Sequence, residues 1–379
     1  MADEVKSGLD GIPVARTALS SVDGENGILK YRGYDINTWV NKASFEEVAH
    51  LMWYGDWPTK TQLDELEEKL GSRRSMPKPI ADTMKVLPTT GAPIDSLKIG
   101  VTELAMLDDD EDSWEQDALR EKSITTTAIF PTVLAAYHRL RNGEEPLEPK
   151  PDRSSSWNFL YMVNGKEPSE NAEKAFDCYL SLLAEHSMNA STFTARSTMS
   201  STTDYYSAIN SALGSLKGIA HGGANMMAMN MLLDIGDPDK IEEYVNESIE
   251  IGRRIMGIGH RIYKVRDPRV NHLMAWSETI ADEIGDDTWY AMAHNMEMLT
   301  NDHPYFVDRG LYPNVEFYSA PLLYNLGFPP DLMPGVFAIS RIVGWSANLM
   351  EQVEENRLMR PQAVYVGPES QEFVPIDQR

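Results

Sequence analysis

The chain has 379 residues, 42% of them hydrophobic, and a formal net charge of −24. That length supports two or three domains, and that charge repels nucleic acid and anionic membranes, so neither is an expected partner. No apolar run reaches the ~18 to 20 residues of a membrane span, the opening MADEVKSGLDG lacks a signal-peptide core, and a single cysteine, Cys178, forbids an intrachain disulfide and argues against a thiolate metal site; a soluble cytoplasmic protein is expected.

GILKYRGYDI, near the start, reads as one of few strands. In ASFEEVAHLMW, Ser44 and Glu47 have capping-box spacing, and Phe45, Val48, Ala49 and Met52 then share one helical face. LDDDEDSWEQD sets five carboxylates in a row, Asp108 to Asp112. The run reads as a solvated face or, more sharply, as part of a surface adapted to high salt. ITTTAIFPTVLAAYHRLRNG is helical with a kink expected at Pro131, and Arg141 to Trp157 is a polar loop. AFDCYLSLLAEHSM puts Phe176, Tyr179, Leu180 and Leu183 on one stripe, and His186 continues it seven residues after Tyr179. A further helix is expected from Asp237 as cap and Pro238 at its first position, with Ile241, Tyr244, Val245, Ile249 and Ile255 at helical spacing. AVYVG reads as a late strand, and GPESQEFVPIDQR as an extended tail that orders only on docking. With no βαβ alternation and no GxGxxG or Walker loop, the fold class is all-α with few short strands.

Four segments depart from plain helix. AEHSMNASTFTAR surrounds His186 with Asn189, Ser191, Thr192 and Thr194, more polar than a core helix needs; a satisfied core histidine is the alternative. In GIAHGGAN, His221 precedes Gly222 and Gly223 and a Met-rich helix. The positive end of a helix disfavours imidazolium, so His221 suits a neutral donor to a carbonyl or enolate, although a glycine hinge with an incidental histidine has the same appearance. In MGIGHRIYKVRDPR, His260 precedes Arg261, Lys264, Arg266 and Arg269, a basic patch that is either an anion site or surface charge balance. LYPNVEFYSA holds one carboxylate, Glu316, among apolar and small polar residues. No histidine pair has the i, i+4 spacing of a metal helix, and no serine elbow appears. Several histidines, one carboxylate and clustered arginines suit acid–base chemistry on a carboxylated substrate.

These segments, with GLDGIPVARTALSSVDGENGILKYRGYDI before them and RPQAVYVGPE after, closely resemble the citrate synthase family, in its short archaeal and bacterial form, in order and spacing along nearly the whole chain. The resemblance implies a two-domain all-α homodimer: 1–222 and 324–379 as the large domain, 223–323 as the small one. It implies condensation of acetyl-CoA with oxaloacetate and hydrolysis of the thioester to citrate and CoA, the first step of the tricarboxylic acid cycle. Acetyl-CoA would be a substrate, with no resident cofactor and no metal. His221 would steady the enol, His260 polarise the ketone and Glu316 remove the methyl proton. His186, Arg269, Arg341 and, from the other subunit, Arg360 would bind oxaloacetate. Lys264, Gly257, Ile258, Gly259 and Asn314 would contact CoA. The chain departs from the family's PNVDFYSG pattern at two places, Glu316 for aspartate and Ala320 for glycine. The rival readings are 2-methylcitrate synthase, with propionyl-CoA, and a non-catalytic relative that binds CoA or a carboxylate.

Overall fold

A computed structural model describes residues 5–9 and 11–379; Met1 to Glu4 and Asp10, part of the opening segment, lie outside the described residues. The chain is predominantly helical, with one small sheet. Strands β1 (Ser20–Asp23), β2 (Ile28–Tyr31) and β3 (Tyr34–Asp35) form an antiparallel meander in which Ser20 faces Tyr31. The expected GILKYRGYDI strand is β2 and β3. AVYVG forms no strand: Tyr365 and Val366 are 75% and 92% exposed, and no described strand pairs with them.

At the centre runs the Met333–Glu354 helix, buried on every side for most of its length, as a helix apolar all round must be. The Gln116–Arg141, Ala190–Met199, Tyr205–Leu216, Glu170–Leu183 and Phe45–Tyr54 helices pack around it. Gly344 is a point of close approach. A Cβ there would lie 2.2 Å from the carbonyl of Ala184, so this glycine lets the central helix press on the segment that leads to His186.

Local signals explain many helix ends. Ser44 and Glu47 form the expected capping box. The Gln116–Arg141 helix carries Pro131, the site of the expected kink, inside it. Two expectations are corrected. The helix predicted to run to Ile255 is a short 3₁₀ turn, Pro238–Lys240, and then Ile241–Ile251, closed by Gly252 in the left-handed region at φ 67°. Ile255 is buried from the following loop. His186 is not on a helical stripe: the Glu170–Leu183 helix stops before it, and it sits in the turn before Ala190.

The acidic run is a folded loop. Lys122, only 4% exposed, lies beneath it and donates from Nζ to the carbonyls of Asp110, Glu111 (2.8 Å) and Ser113 (3.2 Å). The Tyr206 hydroxyl donates to the Asp108 carboxylate at 2.7 Å.

Candidate active site

The MGIGHRIYKVRDPR segment is a long non-helical stretch, and its shape follows from two glycines and one asparagine. Gly257 (φ 83°) and Gly259 (φ 90°) occupy conformations other residues avoid. The chain can then fold back on Tyr312 to Asn314: Gly259 N–H donates to the Tyr312 carbonyl at 2.7 Å, Asn314 N–H to the Gly257 carbonyl at 2.9 Å, and Ile258 bridges Pro313. The Asn314 side chain donates to the Gly259 carbonyl (2.9 Å) and accepts from Glu316 N–H (3.1 Å). One amide thus fastens the loop to the first turn of the Glu316–Asn325 helix. The β1–β2 turn supports the loop from the other side, with Lys264 N–H donating to the Gly24 carbonyl at 2.9 Å.

His260 has its tautomer set by the backbone. Nδ1 accepts from the N–H groups of Ile262 and Tyr263, both at 3.1 Å, so the proton of the neutral ring is on Nε2. Burial, then the charge of Arg269, pulls its pKa down to about 4 despite Asp267. His186 stands edge-on, its ring centroid 5.6 Å from that of His260, with Nε2 3.1 Å from the Tyr263 hydroxyl. Burial, Arg269 and His260 keep it neutral, well below the usual imidazole range.

His221 is in the turn between the Tyr205–Leu216 and Ala224–Ile235 helices, as expected of a residue just before a helix. Its Nε2 is 2.7 Å from Ser191 Oγ, which accepts from Trp345 Nε1 at 3.0 Å and donates to Asn189 Oδ1 at 2.8 Å. Rotation of that one serine hydrogen from Asn189 to Nε2 puts the ring's own proton on Nδ1, free to donate outward. Burial, with Arg341 second, lowers its pKa to about 4. The Phe337 ring joins these groups, 6.1 Å from the His221 ring and 4.8 Å from Arg341 Cζ.

Glu316 is the first residue of its helix, at the end where backbone N–H groups stabilise negative charge. Its carboxyl is pushed above the usual range by burial; Arg269, its own N–H and Arg341 pull it back, and Asp267 opposes them. No other described residue donates to this carboxylate. Ala320, four residues on, is fully buried.

The two arginines differ. Arg269 is gripped by Asp267, through Nε (3.0 Å) and Nη2 (2.6 Å). Arg341, 1% exposed, gives only Nε to the chain, to the Leu183 carbonyl at 2.7 Å, and burial lowers its pKa to about 10. Its Nη groups bond to no described residue. Lys264 is exposed, and so is Arg360, on the C-terminal segment. Gly257, Ile258, Gly259 and Asn314 form the loop wall; both polar atoms of the Asn314 side chain are engaged inside the chain.

Several site residues escaped the sequence reading. In the sequence Ser191 shows only its polarity, and Tyr263, Trp345 and Asp267 belong to no motif, although an aspartate two residues before an arginine is a readable signal for the last. Glu185 is fully buried, accepts from Ser20 Oγ (3.0 Å) and Asn348 Nδ2 (3.1 Å), and is raised to about 7 by burial although Arg341 opposes the shift. Tyr179 was assigned to an apolar stripe, yet burial raises its phenol within the fields of Glu316 and Arg341. Among the described residues, no group of three or more His, Cys, Asp or Glu side chains is arranged to hold a metal.

Neutral imidazoles that can donate, an unpaired carboxylate that can accept a proton and a guanidinium with open N–H groups define a helical acid–base enzyme for carboxylated substrates. Comparison with known proteins narrows the class. The family described as "Citrate synthase, C-terminal domain" matches residues 8–362. A citrate synthase of Haloferax volcanii is 42% identical, with all of both chains covered. A 2-methylcitrate synthase of Corynebacterium glutamicum is 37% identical over 99% of this chain and 99% of its own. A solved citrate synthase of Thermoplasma acidophilum, in ternary complex with carboxymethyl coenzyme A and oxaloacetate, superposes with a TM-score of 0.94 at 31% identity, over 99% of this chain and all of the other. The chain belongs to the citrate synthase family.

Proposed function

We propose that the chain condenses acetyl-CoA with oxaloacetate and hydrolyses the resulting thioester to citrate and CoA, as an acyltransferase that converts the acyl group to alkyl on transfer. One observation carries the reading: the loop that fixes His260 as an Nε2–H donor is fastened through Asn314 to the turn that presents the unpaired Glu316. Glu316 takes a methyl proton from acetyl-CoA, and His221 donates to the thioester oxygen as the enol forms. His260 donates to the ketone of oxaloacetate, which the enol carbon then attacks. The weak acid and weak base become competent because both are desolvated and the developing oxyanion meets a placed donor. His186, Arg269 and the open Nη groups of Arg341 hold oxaloacetate.

CoA lies along the 257–259 loop wall and Asn314, with Lys264 at a phosphate. The chain works as a homodimer in which Arg360 of one copy completes the site of the other. Residues 223–323 form the smaller domain, which closes over the substrates and keeps water out until condensation is complete. An acidic surface and a cytoplasmic setting complete the reading, with acetyl-CoA as substrate rather than resident cofactor.

Thiol release with oxaloacetate and either acyl-CoA is the test. Acetyl-CoA is expected to give the higher kcat/KM, in line with the greater identity to a citrate synthase than to a 2-methylcitrate synthase. A preference for propionyl-CoA would move the assignment to the second activity, and no release with either would leave a binding protein.

A further inference from the structure

Arg266 is part of the basic patch but has no place in the chemistry above. Its side chain turns inward, to Glu297 on the Thr288–Asn301 helix: Nε donates to Oε1 at 2.7 Å and Nη2 to Oε2 at 3.1 Å. The same Oε2 accepts the Tyr318 hydroxyl. Glu297 is 5% exposed, so one buried carboxylate receives two guanidinium N–H groups and a phenol O–H. Arg266 is in the segment between His260 and Arg269. Tyr318 is two residues beyond Glu316, on the same helix. The carboxylate therefore grips both halves of the proposed chemistry.

We propose that Glu297 is a positioning residue for the condensation, holding Arg266 and Tyr318 so that the His260 loop and the Glu316 helix keep one separation. The inference rests on the reading of Glu316 as the base. Buried ion pairs add little stability over a well-packed apolar substitute, but they fix direction, since a bidentate guanidinium fits its partner in one orientation. The Asn314 side chain and the backbone bonds between 257–259 and 312–314 fasten the same two pieces ahead of Glu316, and fasteners on one side leave a hinge. Glu297 ties the pieces again beyond Glu316, through Tyr318. Spacing matters here because a shift of about 1 Å in a reacting group can cost on the order of 100-fold in rate, and the base of this chain is one methylene longer than aspartate.

Two variants of the full chain test this. Tyr318→Phe removes one hydroxyl and leaves the Glu297–Arg266 pair; Glu297→Gln weakens both contacts. Three quantities are measured: kcat and KM for oxaloacetate; the melting temperature; and the loss of acetyl-CoA methyl hydrogens to deuterated water, in the presence of a four-carbon hydroxy-dicarboxylate that cannot be attacked. Tyr318→Phe is expected to lower kcat about 10-fold and slow exchange in proportion, with KM for oxaloacetate unchanged and the melting temperature lowered slightly, as the loss of one hydrogen bond to a buried carboxylate requires. Glu297→Gln is expected to lose more. If Glu297→Gln fails to fold, Tyr318→Phe decides alone. Full kcat and exchange in Tyr318→Phe, while Glu316→Gln is inactive, would overturn the inference and leave the base assignment standing. A Glu316→Gln variant with normal exchange would overturn both.

Discussion

Arg74 and Arg341 are both almost wholly buried, at 4% and 1% exposure, and their guanidinium groups are treated in opposite ways. Arg74 Nη1 donates to the carbonyls of Pro151 and Arg153, Nη2 points at Ser155 Oγ (3.5 Å), and the Glu46 carboxylate is 3.8 Å away. Glu46 in turn accepts from Ser155 N–H at 2.8 Å. That cluster is closed, and its charges lock the 150–155 loop onto the helices. Around Arg341 and Glu316 the donors and acceptor are left open. A buried charge without its full set of partners is costly, and these two open groups lie within each other's field. Closed charges make framework; open ones make a site.

Substitutions at three positions would break or sharpen that contrast. Glu316→Gln should lose on the order of 10³-fold or more in kcat with an unchanged melting temperature, whereas Glu316→Asp should retain or raise activity; near-normal turnover by the Gln variant in the thiol-release assay would end the assignment. Arg341→Leu should raise KM for oxaloacetate about 100-fold, the worth of a charge-assisted pair, again without loss of stability. Arg74→Met should do the reverse, with roughly 3 to 5 kcal/mol lost in denaturant titration and KM unmoved; a KM effect there would dissolve the contrast.

The pH effects come next. His221 and His260 sit at about 4 in the fold, against an ordinary 6.5. The unfolded chain binds more protons between these values, so the two histidines take stability away as pH falls from 6.5 to 4. Glu185, at about 7 against an ordinary 4.5, has the opposite sign: the fold binds the extra proton, and stability is lost as pH rises from 4.5 to 7. Glu185→Gln should therefore steepen the rise of melting temperature with pH in the window where the terms oppose; an unaltered profile would place its titration elsewhere. Because both imidazoles stay neutral, the acid limb of kcat should follow Glu316. The smallest effect is expected from salt. Melting temperature should climb from low to molar KCl as surface repulsion is screened, and a flat or falling curve would remove salt adaptation.

What was legible in the sequence was local. The Ser44 capping box and the position of His221 before a helix depend on neighbours a few residues apart. The His186 error shows the limit. Spacing continued the stripe past Leu183, but the carbonyl at Ala184 meets Gly344 of the central helix, a contact 160 residues distant that periodicity cannot see. Ser191 was unreadable as a partner of His221 for the same reason, since its other neighbour is Trp345. The basic patch reads as an anion site or as surface charge balance, but the anion that Arg266 meets is Glu297 of the same chain.

The loop from Asp108 to Asp112 carries its own counter-ion. An ammonium on the Lys122 tether organises the backbone beneath five acidic side chains, and unlike a potassium or sodium ion it cannot leave when the solution is diluted. Desalting should therefore loosen the acidic helix faces, which depend on mobile ions, before it loosens this loop. Amide exchange followed as ionic strength falls would then see the most densely charged stretch of the chain among the last surface segments to open.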